Sequence, residues 1–370
     1  MRFISAKTLK PGMVMASTVY NVNGKALIKS GVSLTERMIE KLLQLNIQHV
    51  YIEDGLSAGI EASDSIPAKV RQEAVKKIDS TFTHLEKNTV SNNLVALEQS
   101  AASFKEIIDL ILNEIKGSKD LLTLLTDVFT YDSYVFHHSF NVTLYSLAIG
   151  IELGMPAKQL DTLGLGSIMH DIGKMKVPGE ILMKPGKLTY EEFKEVQKHS
   201  EYGFEILRQL HNVSLLVAHC AFQHHERLDG SGYPRGLKGD EIHPFAKIIA
   251  VADVFDALTS NRVYRDAMLP HEALEVLYAG SGTLFDGNVI QAFRKSVAIY
   301  PNGMVVVLSD GRRGIVERQN KGLTHRPVLR IIAEAGEELT APYTLDLGVS
   351  LDVTITDFDP EFESRLMEVK

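Results

Sequence analysis

Ser167-Ile-Met-His170-Asp171-Ile-Gly-Lys174 sets an imidazole beside a carboxylate, with a Gly break and a Lys just after. A borderline nitrogen donor next to a hard carboxylate that can bridge two cations suits a two-metal hydrolytic centre. The pair reads as lying on a helix. Downstream come a tandem imidazole, His224-His225-Glu226, and the turn Gly232-Tyr233-Pro234. Working outward, His138, His199, His224, His225 and Asp253 are the further residues able to join His170 and Asp171. Five imidazoles and two carboxylates form the mixed shell that suits two divalent ions, iron or manganese. Any one of these histidines alone would be read as a packed or surface residue; the ordered set carries the inference.

The surrounding chain is built to hold such a site in a compact body. At 370 residues it exceeds the usual single core, so two or three units are expected. Apolar residues make up 45% and charged residues 23%, ordinary values for a soluble globular protein. The formal net charge of -8 argues against broad DNA binding, which relies on many phosphate contacts. It leaves room for one small anion, because bound divalent ions would dominate the local field. The single cysteine, Cys220, cannot form an internal disulfide, which suits a reducing compartment. No stretch of about 18 apolar residues occurs and residues 1–28 hold no signal-type apolar run, so a cytoplasmic protein without membrane insertion is expected.

Periodicity divides the chain into four segments. Residues 1–56 alternate like short strands around Asn23-Gly24, a hairpin signal, with a helix over 33–45 and a strand over 49–53: a small α+β N-terminal module. Residues 57–103 hold a Gly/Ser-rich linker and amphipathic helices, in which Val70, Ala74, Ile78, Phe82 and Leu85 share one face. That face packs on its own chain or builds a homodimer. Residues 104–300 read as nearly all helix, with the metal-type residues at the ends and inner faces of successive helices. Residues 301–370 return to short alternating runs with Asp310-Gly311 as a second hairpin signal, a β-rich C-terminal extension. The fold class is therefore mainly α, a helical bundle flanked by two smaller parts.

Five motifs in order give this bundle an identity: His138-Ser-Phe-Asn-Val142, His170-Asp-Ile-Gly-Lys174, His199-Ser-Glu-Tyr-Gly203, His224-His-Glu-Arg-Leu-Asp-Gly-Ser-Gly-Tyr-Pro234, and Asp253-Val-Phe-Asp-Ala-Leu-Thr-Ser-Asn-Arg262-Val-Tyr-Arg265. From about Asp120 to Tyr300 the chain resembles the HD-GYP family, a branch of the HD-domain metal-dependent phosphohydrolases whose members hydrolyse the bacterial messenger cyclic di-GMP. The resemblance implies an HD-type bundle in which His138, His170, Asp171 and Asp253 hold one ion and His199, His224 and His225 the other, with Asp171 as the bridge. Lys174, Arg262 and Arg265 would face the phosphate, Asp171 and Lys174 would be catalytic, and Tyr233 would stack on guanine or mark a docking point for a protein partner. The implied reaction is attack by a metal-bridging hydroxide, giving linear pGpG and, in some members, GMP. Glu226 and Asp229 are expected to orient the ligand imidazoles.

Three departures qualify the match. Members with a third metal carry a Glu one helical turn before the first ligand His, where this chain has Tyr134, so two ions are expected and full conversion to GMP is disfavoured. Val263 replaces a frequent Pro, and Arg265 a frequent Lys, which keeps the charge and adds bidentate geometry. Two other readings stay open: a weak or inactive relative that binds cyclic di-GMP or a protein, and an HD phosphohydrolase for another nucleotide. All seven ligands plus Lys174 favour catalysis over binding alone, and the tandem imidazole with Gly-Tyr-Pro speaks against another nucleotide. The sequence shows no receiver-type pattern, so control by phosphorylation is not expected.

Overall fold

The computed structural model describes residues 1–20, 26–45, 47, 49–61, 66, 68–87, 90–117, 134–182, 184, 186–260, 268, 270–320 and 322–362. Within these, two compact units separate: the described residues of 1–65 and 294–370 form one, those of 66–119 and 134–293 the other.

The first unit is mostly sheet. Strands β1 (Arg2–Ser5), β2 (Val14–Met15) and β5 (His49–Glu53) pair in the order β1-β5-β2, and β3 (Val19–Tyr20) pairs with β4 (Ala26–Ile28). The Asn23-Gly24 turn lies outside the described residues. Helix α1 (Glu36–Gln44) starts at Thr35, whose hydroxyl accepts from Met38 N–H, and it buries Ile39 and Leu42. The C-terminal strands β6 (Val305–Leu308), β7 (Arg313–Arg318), β8 (Val328–Glu334), β9 (Glu337–Asp346) and β10 (Ile355–Phe358) form one antiparallel sheet in the order β10-β6-β7-β8-β9. The Asp310-Gly311 signal falls on the β6–β7 hairpin, where Gly311 takes φ 85°.

The sequence reading keeps residues 1–56 and 301–370 apart, yet here they belong to one compact unit and are joined by backbone hydrogen bonds. Phe3 N–H donates to Gly303 O at 2.9 Å and Ser5 N–H to Pro360 O at 2.9 Å. The Phe3 ring stacks on His49 at 4.9 Å and lies 6.0 Å from Phe358. Arg2, buried, pairs with Asp54 at 2.5 Å and donates to Phe362 O at 2.7 Å. All four residues of strand β1 are buried, two of them polar, so it carries no alternation for the sequence to show and this joint was not legible.

The second unit is helical: α2 (Ala68–Lys87), α3 (Val90–Gly117), α4 (Tyr134–Glu152), α5 (Ala157–Ile168), α6 (Gly179–Leu182), α7 (Tyr190–Gln197), α8 (His199–Leu207), α9 (Leu215–Gln223), α10 (Pro244–Thr259) and α11 (Pro270–Ala279), with α12 (Gly287–Ser296) running from it into the first unit. Helix α4 packs on α5 and α10, and α5 on α9; nearly every α4 residue from His138 to Gly150 is buried. Helix α2 turns Ala74 and Ile78 inward and packs on α3 and α4. Among the described residues no helix is long and apolar enough to cross a membrane.

His49 gives the first unit a pH dependence. Burial, with a smaller contribution from Lys7, lowers its pKa from 6.5 to about 4. Between those values the unfolded chain holds a proton that the folded chain does not, so stability falls as pH drops, by at most about 1.4 kcal/mol per pH unit. Denaturation midpoints measured from pH 7 to pH 4 should fall more steeply for the wild type than for His49→Phe, which keeps a ring but cannot titrate. Equal slopes would rule this group out.

Candidate metal centre

Helix ends supply most of the site. His170 and Asp171 lie not on a helix but in the turn between α5 and a 3-10 turn over Ile172–Lys176. Leaving the helix lets successive side chains converge on one point, which adjacent helical positions cannot do. His199 opens α8, His224 caps α9 with His225 after it, His138 sits in α4 and Asp253 in α10. All but His225 are buried. Two backbone approaches make the convergence tight. A Cβ at Gly173 would stand 1.9 Å from His199 O, and one at Gly232 would stand 2.4 Å from Arg227 N.

Asp171 lies at the centre. Its Oδ2 is 3.5 Å from His138 Nε2 and 3.4 Å from His170 Nε2. Its Oδ1 is 3.5 Å from His199 Nε2 and 3.8 Å from His224 Nε2. Each oxygen therefore faces a different imidazole set, and two groups, His138-His170-Asp171 and Asp171-His199-His224-His225, gather ligand atoms within 4.8 Å. Asp253 is placed between them as well, with Oδ1 3.2 Å from His138 Nε2 and Oδ2 3.8 Å from His225 Nδ1. Lys174 reaches Asp171 Oδ2 at 2.5 Å and stays partly exposed.

The donor chemistry fits cations. The Nδ1 atoms of His170, His199 and His224 lie 2.7 Å from Ser167 O, 2.6 Å from Val196 O and 2.9 Å from Ala221 O. A carbonyl only accepts, so each Nδ1 carries the proton and each Nε2 turns a lone pair inward. Nε2 of His199 and Nε2 of His224 then face each other at 3.4 Å, lone pair to lone pair. His170 Nε2 and Asp171 Oδ1 are buried without a hydrogen bond. Such atoms lose their hydration for nothing unless a cation takes the lone pairs.

Charge states agree. Burial holds His199 below its usual pKa, and burial with the neighbouring imidazoles holds His224 and His225 well below theirs, the neutral form that a ligand needs. Burial works against ionisation of Asp171 and Asp253, but Lys174 and the imidazoles around Asp171, and the imidazoles of His138, His225 and His170 around Asp253, outweigh it and keep both carboxyls well below the ordinary range. His138 is the exception. Burial disfavours its charge, yet hydrogen bonds to Asp171, Asp253 and Asp256 raise its pKa well above 6.5.

The structure thus brings His138, His170, Asp171, His199, His224, His225, Asp253 and Lys174 together. Tyr233 joins them, its ring 4.7 Å from that of His225 at 30°. Arg262, Arg265 and Val263 lie outside the described residues, as does the side chain of Tyr134. Glu226 does not touch an imidazole: its carboxylate accepts from Arg235 N–H at 2.8 Å and Leu237 N–H at 2.9 Å, which fixes the Gly-Tyr-Pro loop. Asp229, exposed, accepts from Ser231 N–H instead. The sequence reading missed Asp256. Fully buried, it lies 2.7 Å from His138 Nδ1 and accepts from Asn141 Nδ2 at 2.9 Å. Its place three residues after Asp253, on the same helix face, was the available signal.

Comparison with known proteins places this geometry. Residues 92–289 match a family model described as HD domain. The chain belongs to the HD domain family. Its motifs and relatives place it in the HD-GYP branch. A cyclic di-GMP phosphodiesterase of Pseudomonas aeruginosa is 37% identical over 254 residues, 68% of this chain and 61% of that protein. A cyclic di-GMP phosphodiesterase of Thermotoga maritima is 38% identical over 208 residues, 56% of this chain and 55% of the relative. A 3'3'-cGAMP-specific phosphodiesterase of Vibrio cholerae is 40% identical over 169 residues, 46% of this chain and 36% of the relative. The chain thus spans less than two thirds of each of these proteins. A solved HDGYP protein from Bdellovibrio bacteriovorus shares the fold at a TM-score of 0.52 and 18% identity, over 79% of this chain and 97% of that one.

Asp256→Asn keeps the size of the side chain but weakens its hold on His138. It should lower divalent-metal affinity about 10- to 100-fold while the thermal midpoint of the metal-free protein stays near wild type. Metal titration followed by elemental analysis checks this; unchanged affinity would remove Asp256 from the site.

Proposed function

We propose that this HD domain hydrolyses cyclic di-GMP to linear pGpG, with further cleavage to GMP disfavoured. The observation that carries the reading is the split of Asp171, one oxygen to each imidazole set, which suits a pair of divalent ions. The printed names of the Pseudomonas and Thermotoga relatives support the substrate. His138, His170, Asp171 and Asp253 would hold one ion and His199, His224 and His225 the other, iron or manganese by the donor set. Bound ions supply positive charge to a phosphodiester and acidify water.

The chain's own groups do the rest. Lys174 Nζ, beside Asp171 and open to solvent, offers a cation to a non-bridging phosphate oxygen. Arg262 and Arg265 are assigned the same task on the resemblance alone. Tyr233, held by the Glu226-fixed loop, presents a ring to the site. Burial raises its hydroxyl pKa, so it stays a neutral donor. Protein docking at the Gly-Tyr-Pro turn, a homodimer and a cytoplasmic location complete the proposal.

Protein purified without oxygen and loaded with iron or manganese should convert cyclic di-GMP to pGpG on chromatography. Asp171→Ala should lose at least about 100-fold in turnover, since it removes a charge shared by both sets. Equal turnover by the two proteins would end this reading, and 3'3'-cGAMP turned over faster than cyclic di-GMP would redirect it. Metal content should be two ions per chain; three tightly held ions would overturn the two-ion centre.

A further inference from the structure

A row of rings leads out of the metal centre to solvent. The rings of His225 and Tyr233 lie 4.7 Å apart, tilted by 30°, and Tyr233 meets Phe193 edge-on, ring centres 6.4 Å apart at 82°. Phe193 is 46% exposed and Tyr190, one turn earlier on the same helix, 70% exposed. Single exposed apolar residues need no explanation, but two on one helix face, continuous with a site, do. The helix beneath them is held firmly. Thr189 and Glu192 form a reciprocal capping box at the start of α7, and Lys184 Nζ grips both Glu192 oxygens at 2.7 Å. Two residues after α7 ends comes His199, so Phe193 is built on the element that leads directly into a ligand.

We infer that Phe193 stacks on a purine base of the cyclic dinucleotide and is a substrate-binding residue of this domain. The inference rests on the proposed function for its substrate. With the phosphate at the imidazole cluster and Lys174, a base lies one ribose farther out, in the direction the rings lead. Tyr233 meets Phe193 with rings nearly perpendicular, which leaves a face of Phe193 for a base. A phenyl face offers stacking but no hydrogen bond, so Phe193 selects for a large π surface and not between guanine and adenine.

The test compares wild type, Phe193→Ala and Phe193→Trp in two measurements. In the first, metal-loaded proteins act on cyclic di-GMP and 3'3'-cGAMP. Phe193→Ala should raise KM roughly 10-fold for both with kcat within about twofold, and Phe193→Trp should restore KM. In the second, metal-free proteins are titrated with 2-aminopurine ribonucleotide monophosphate, whose fluorescence falls on stacking; Phe193→Ala should abolish the quench and Phe193→Trp keep it. Unchanged KM and quench in Phe193→Ala, or equal damage from both substitutions, would overturn the inference. Wild type that quenches through Phe193 but hydrolyses neither dinucleotide would overturn the proposed reaction and leave the base site standing. Absence of both would overturn both.

Discussion

The carboxylate of Asp171 must be ionised, buried and open on two sides at once, and the rest of the domain is arranged around that demand. A carboxylate taken out of water is stable only among positive charge or donors. Here Lys174 supplies charge to one oxygen, while the other has no hydrogen bond and faces two lone pairs. The backbone makes this possible by leaving the α-helix after Ile168 and entering a 3-10 turn, in which residues three apart eclipse and bring Lys174 over Asp171. The turn in turn needs Gly173, because it passes so close to His199 O that no side chain fits. One glycine thus sets the distance between the two ligand groups.

Helix termini solve the orientation of the imidazoles. The last carbonyls of an α-helix have no partner within the helix. At the ends of α5, α7 and α9 these are the carbonyls of Ser167, Val196 and Ala221, and each takes the Nδ1 proton of the histidine three residues on. One contact therefore engages a carbonyl of the last turn, fixes the tautomer and aims Nε2 inward. The negative end of each helix dipole also lies at the site, a favourable place for cations. His138 is in mid-helix, where the carbonyls are already engaged, so its Nδ1 partner comes from another helix, the carboxylate of Asp256. The same logic explains why one imidazole needs a dedicated acid and three do not.

What the sequence disclosed follows from how local each feature is. The ligand residues stood out because their side chains have few structural uses in such number and order, and the hairpin at Asp310-Gly311 because only special residues tolerate its backbone. The helical bundle was legible from its periodicity and glycine breaks. The union of the first and last segments was not, since it rests on backbone pairing between Phe3 and residues near 303, which leaves no trace in composition. Glu226 misled for a related reason. A carboxylate beside two ligand histidines invites an imidazole partner, but the chain folds back and offers it two backbone amides instead.

That fold-back has its own consequence for the chemistry. Glu226 is almost fully buried, and its two amide partners, Arg235 and Leu237, lie just past Tyr233-Pro234. Arg227, next to it, turns the other way, donating to His224 O and Glu226 O and resting on Phe285 at 5.0 Å. The ligand pair His224-His225 is therefore clamped from one side by a guanidinium and tied on the other to the loop that carries Tyr233. Because Gly232 lets that loop lie directly on the backbone of Glu226 and Arg227, Tyr233 and His225 are parts of one rigid piece. A ring fixed to a histidine in this way holds its place relative to the imidazole cluster, which is the property a base-recognising surface would need in order to place a phosphate accurately.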